Sequence, residues 1–92
     1  MIGKKLSEFI DELFMNPELE LVHHNTKYLI SGYIGENELY TLSVDILGSN
    51  GHNVFEISNL SRNECVAKFE EAKIFDGLSI YEAEKDIEVL YG

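Results

Sequence analysis

The sequence predicts an α+β domain: an N-terminal helix, an antiparallel sheet of three to four strands, a C-terminal helix packed on one sheet face, and a tail able to close as a short last strand. Three observations predict it. An apolar stripe of helical period opens the chain. Residues alternate polar and apolar from position 18 onward. A serine with a glutamate three positions on marks a second helix start at residue 61.

Leu6, Phe9, Ile10, Leu13 and Phe14 fall at i, i+3, i+4, i+7 and i+8, with Glu8, Asp11 and Glu12 on the other side, so the first helix is amphipathic. Ile2 extends the stripe backward. Asn16-Pro17 ends it, because the residue before a proline avoids the α region. Glu18 and Glu20 then alternate with Leu19 and Leu21, and Asn25-Thr26 reads as a tight turn. From Lys27 to Ile34, Tyr28, Ile30 and Ile34 share one face and Leu29 and Tyr33 the other. Gly35 to Glu38 reads as a hairpin loop. Leu39 to Leu47 is the clearest strand, with Tyr40, Leu42, Val44 and Ile46 on one face and Thr41, Ser43 and Asp45 on the other. A glycine-rich loop and a short strand at Val54 to Ile57 follow.

Ser61 and Glu64 have capping-box spacing, and a helix is expected from there to about Phe75, with Cys65, Val66 and Phe69 inward and Asp76-Gly77 as its stop. Ser79 and Glu82 repeat the spacing. Ile87 to Tyr91 reads as the last strand. The helical stripes and the period-two face need each other's cover, so Leu6, Phe9, Ile10, Leu13, Tyr40, Leu42, Val44, Val66 and Phe69 should form one core. The α-β-β-β-α order is shared with double-stranded-RNA-binding domains, at the level of element order only. The basic cluster such domains carry at the start of the last helix has no counterpart, since Arg62 stands nearly alone and Glu64 follows it.

Ninety-two residues, 45% of them hydrophobic, suit one globular domain spanning 1–92. The single cysteine, Cys65, fits a reducing compartment, and no segment approaches a spanning length, so the expected location is cytoplasmic. The net charge is -10, and no lysine or arginine lies between Lys27 and Arg62. Phosphate binding needs cations, so direct nucleic-acid binding is not expected, nor is an anionic membrane surface.

Motifs for chemistry are sparse. Adjacent strand residues point to opposite faces, so His23 and His24 should not share a metal. A zinc site would need His52 with Cys65 or a carboxylate brought from distant segments, and no spacing demands it. No metal or cofactor is therefore expected. Cys65, near a helix start, reads as a small core residue rather than a nucleophile. Asp45 and Glu56 form a conceivable carboxylate pair on neighbouring strands, of a kind that seventeen acids produce by chance. The scattered glycines match no phosphate-binding loop. Among Tyr28, Tyr33, Tyr40, Tyr81 and Tyr91, Tyr33 shares its face with Leu29, which makes those two the expected apolar interface.

The function expected from this is a small, acidic, non-enzymatic protein-binding module. Its partner would be a basic protein, and its acidic face would act as a nucleic-acid mimic or an inhibitor of a nucleic-acid-handling protein. The candidate face comprises Glu36, Glu38 and Asp45 from the sheet, and Glu70, Glu71, Asp76, Glu82, Glu84, Asp86 and Glu88 from the C-terminal third. A self-associating homodimer is the alternative, and a small enzyme without a recognisable motif is the third.

Overall fold

Alternation along four consecutive strands builds a meander, and the tail completes it. The computed structural model describes residues 1–92: α1 (Leu6–Glu12), β1 (Glu18–His23), β2 (Thr26–Ile34), β3 (Tyr40–Ile46), β4 (His52–Asn59), α2 (Arg62–Glu71), α3 (Ile80–Ala83), a 3-10 turn (Glu84–Asp86) and β5 (Ile87–Tyr91). All five strands lie in one antiparallel sheet of order β4-β3-β2-β1-β5. The chain leaves the β4 edge and crosses one sheet face through α2 and α3. It returns at the opposite edge, where Ile87 pairs with His23.

The covered face is the core. Leu19 and Leu21, Tyr28 and Ile30, and Tyr40, Leu42 and Val44 are buried there against Phe9 and Leu13 from the N-terminal segment, Cys65, Val66 and Phe69 of α2, and Phe75, Ile80, Ala83 and Ile87. Seven of the nine expected core residues belong to this cluster, and the other two, Leu6 and Ile10, are partly buried and pack against it. No helix is long and apolar enough to cross a membrane.

Several boundaries differ from expectation. The first helix is short, and Ile2 is off its stripe: it lies exposed and bridges Glu88 in parallel, giving β5 a partial outer neighbour. The β1–β2 turn is His24-Asn25, one residue earlier than expected, with both residues at positive φ (47° and 66°), as a type I′ hairpin requires. β4 is twice the expected length. With β4 and β5 the sheet has two strands more than a plain α-β-β-β-α order.

The second helix stops at Glu71 rather than near Phe75. Continued helix would carry Phe75 roughly 120° round from Phe69, away from the core, at 3.6 residues per turn. Leaving the helix at Ala72, which has ψ 138°, lets Phe75 bury edge-on to Tyr28 at 4.9 Å. Asp76-Gly77 is therefore not a helix stop. It is the two-residue turn of a small loop in which Phe75 and Leu78 bond to each other, again with both φ positive (54° and 78°). Ser61 accepts from the Glu64 amide, but its own amide is taken by Asn59 Oδ1 at 2.8 Å, so the reciprocal half of the capping box is absent. Ser79 and Glu82 form the complete box.

Candidate functional site

Side chains on the uncovered sheet face fall in rows set by the strand register. One row reads Glu88, Val22, Lys27; the next reads Tyr91, Glu20, Leu29, Asp45, Asn53; a third reads Glu18, Ser31, Ser43, Glu56; the last reads Tyr33, Thr41, Ser58. Five carboxylates therefore face out from this sheet against one lysine. None of the five is in an ion pair; Asp45 alone has a side-chain partner, accepting from Asn53 at 2.9 Å. Leu29 is half-buried between Glu20 and Asp45. Tyr33 is 53% exposed, and Ser31 separates it from Leu29. The two apolar residues share the face as expected, but they do not form a continuous patch.

The ten candidate acids do not share a face. Only Asp45 and Glu88 lie on the open sheet, three strands apart, which is about 14 Å at the usual strand spacing. Glu36 and Glu38 sit in the β2–β3 loop, with Glu38 at φ 65°. The others belong to the helical side, where cations and hydroxyls engage them. Glu70 accepts from the Tyr81 hydroxyl, Glu71 lies 3.9 Å from Lys68, Glu82 pairs with Lys73, and Glu84 pairs with the Met1 amino group. The Lys73 ammonium, with the Ser79 amide, holds Glu82 down at about 2. Its bond to Glu70 raises Tyr81 above the ordinary phenol value. Glu18, Glu20 and Glu56 were outside the candidate set, although the alternation of Glu18 and Glu20 with Leu19 and Leu21 already placed the first two on one face.

Asp76 and Asp86 meet the histidines. His23 ends β1 on the core face, fully buried. The positive φ at His24 breaks the alternation, and its ring folds back to stack on His23, centroids 4.0 Å apart and planes at 24°. The expectation that neighbouring histidines diverge thus fails at the strand end, where the residues cease to be regular strand. Asp76 Oδ2 lies 3.5 Å from His24 Nδ1 and 3.8 Å from His23 Nδ1, and His24 Nε2 lies 3.2 Å from Asp86 Oδ2. A ring nitrogen of each histidine and an Asp86 oxygen all lie within 4.8 Å of one another. Burial, then the neighbouring His24, hold the His23 imidazole below its ordinary value, with Asp76 and Asp86 opposing.

The remaining candidates do not converge. His52 begins β4, at the sheet edge remote from β1, and its ring contacts the Asn50 carbonyl. Cys65 is buried with Sγ 3.5 Å from the Tyr40 carbonyl, and burial pushes the thiol up from its ordinary value, so it is packed rather than activated. Asp45 is held by Asn53, while Glu56 stands opposite Ser43. Tyr28 and Tyr40 are core residues; Tyr81 and Tyr91 are exposed. The surface depressions are open to solvent, and none is lined by a histidine or by Cys65. No family model, curated protein or solved structure matches the chain.

Proposed function

We propose that the chain is a non-enzymatic binding module whose open sheet face docks on a basic surface of a partner protein. The contrast between its two sides carries this reading. Most helical-side carboxylates of the candidate set are engaged within the molecule, whereas Glu18, Glu20, Glu56 and Glu88 meet no cation. Unneutralised charge on an open sheet face, with Leu29 and Tyr33 set among it, suits a cationic surface in sign. Proteins that hold nucleic acid carry such surfaces, so an inhibitor of one is the form this function takes. The same charge opposes packing this face against a second copy of itself. Self-association is the alternative reading, and its route is the outer edge of β4, which ends the sheet with no strand beside it. The single buried thiol accords with a cytoplasmic setting.

The test is capture from a cell extract at low salt and at about 0.5 M, where screening shortens to a few ångströms. The bait is the wild type, a face variant (Glu18→Gln, Glu20→Gln, Glu56→Gln, Glu88→Gln) or a helical-side variant (Asp11→Asn, Glu64→Gln, Glu71→Gln). A basic protein retained at low salt by the wild type and the helical-side variant, but not by the face variant, supports the reading. Equal retention by all three defeats it. A dimeric mass insensitive to the face variant would favour self-association.

A further inference from the structure

We propose that His23, His24 and Asp86 bind a divalent transition-metal ion of the zinc class, with Asp76 holding the imidazoles from the other side. Two observations carry this independently. The first is convergence: the three ligand atoms come within 4.8 Å of one another although Asp86 lies more than sixty positions from the two adjacent histidines in sequence. The fold enforces this approach, because β5 pairs beside β1 with Ile87 opposite His23, which delivers Asp86 to the hairpin turn. The second is His23 itself. It is fully buried, and its two ring nitrogens are the only buried side-chain nitrogens or oxygens in the molecule without a hydrogen-bond partner. A neutral imidazole has one donor and one acceptor to satisfy, and buried polar groups are almost always satisfied. An ion takes the acceptor nitrogen, and Asp76 Oδ2, 3.8 Å from Nδ1, is the nearest acceptor for a donor there.

The geometry favours zinc-like ions over calcium or magnesium. The two imidazoles are borderline ligands that suit zinc-like ions, which also accept a single carboxylate; the harder cations demand shells of oxygen. Ligand atoms about 2.0–2.1 Å from a tetrahedral zinc lie roughly 3.3 Å apart, and His24 Nε2 lies 3.2 Å from Asp86 Oδ2. Asp76 then faces His24 Nδ1 at 3.5 Å, the usual carboxylate partner of a ligating histidine's second nitrogen. Two neutral imidazoles and two carboxylates balance a dication. Rings stacked face to face cannot both aim a lone pair at one ion. Binding therefore requires the exposed His24 ring to pivot about its Nε2, so that its approach to Asp86 is kept while the stack on the buried His23, edge-on to Phe75, opens. Three protein ligands leave a fourth position for water or a group from a partner. The bond network would tie the last strand to the β1–β2 turn.

Zinc chloride is titrated calorimetrically into the untagged full chain after chelator treatment, with magnesium chloride in parallel, and thermal midpoints are read in each. One zinc per chain is expected, with the midpoint rising about 10 °C or more at a hundredfold excess over the dissociation constant. Magnesium should do neither. His24→Ala and Asp86→Asn, both at exposed positions, should weaken zinc at least about tenfold, while His52→Ala leaves it unchanged. No heat and no shift for the wild type overturns the site, leaving His24 and Asp86 a simple hydrogen-bonded pair. Zinc binding unaltered in both His24→Ala and Asp86→Asn overturns it equally, since the ion would then lie elsewhere.

Discussion

Gly32 is bare because Tyr40 lies across it. A β-carbon at position 32 would stand 2.9 Å from Cζ of the Tyr40 ring, closer still to its hydroxyl oxygen, and 2.7 Å from Cδ of Pro17. The hydroxyl so admitted donates to the Leu13 carbonyl at 2.6 Å, and Arg62 lies over the same ring, 4.5 Å from its centre. Arg62 also donates to the carbonyls of Phe14 and Met15. One tyrosine and one arginine thus satisfy the main-chain groups left open where α1 ends.

Gly32→Ala should therefore destabilise the fold by about 1–3 kcal/mol, the usual range for overpacking. Gly35→Ala is the control: its nearest neighbours would be 3.7 Å away or more and its φ is not positive, so its effect should stay within about 0.5 kcal/mol. Urea unfolding of both measures the difference. Equal effects would mean that Tyr40 does not occupy the space over Gly32.

Tyr40→Phe keeps the ring and deletes the donor. It leaves the Leu13 carbonyl without its side-chain partner, at about 1–3 kcal/mol. Leu42→Ala, in the centre of the same strand and fully buried, should cost about 2–5 kcal/mol. Denaturant midpoints decide both; a loss under about 0.5 kcal/mol at Leu42 would remove it from the core.

The sheet and the core were legible in the sequence because period two and period 3.6 are properties of single segments. Tyr40, Leu42 and Val44 declared their face without any tertiary information, and so did Leu6, Phe9 and Leu13. What failed was decided by contacts between distant segments. Phe75 leaves the helix because Tyr28 and Phe69 offer it a place, and nothing near Phe75 announces that. Asp76-Gly77 is a turn signature as well as a helix stop, and only the pairing of Phe75 with Leu78 selects between them. The histidine cluster was illegible for the same reason. Strand alternation sends His23 and His24 to opposite faces, whereas a left-handed residue at the turn and a strand from the far end of the chain bring the groups together. Counting acids along the chain does not group them by face. Which acids find cations depends on packing: Glu71, Glu82 and Glu84 meet Lys68, Lys73 and the Met1 amino group.

Stability should fall on the alkaline side. Burial raises the Cys65 thiol above its ordinary 9.0 and the Tyr40 phenol above its ordinary 10.0. For such groups the unfolded chain loses its protons first, so between the ordinary and the folded pKa the native state holds more protons. Stability is then complete below about pH 9 and declines as pH rises. Thermal midpoints measured from neutral pH upward should show this decline, and Cys65→Ala should make it shallower. A thiol reagent should label Cys65 only as the protein unfolds. Immediate labelling of the native protein would contradict the burial of Cys65.

Tyr33 separates binding from folding. It stands on the open face with Thr41 opposite, outside the core cluster, and is 53% exposed. Tyr33→Ala should therefore change stability by no more than about 0.5 kcal/mol. Exposed tyrosines among charges are nonetheless where interfaces place their anchors, and truncating such an anchor costs about 2 kcal/mol or more of binding. At that size a partner held at low salt should bind about thirtyfold more weakly to Tyr33→Ala, chiefly through faster dissociation, whereas the Glu→Gln face variant should chiefly slow association. Surface plasmon resonance on the captured partner resolves the two rates. If Tyr33→Ala left both rates unchanged while the charge variant abolished binding, the contact would be a purely electrostatic one, and the apolar residues on this face would be incidental to it.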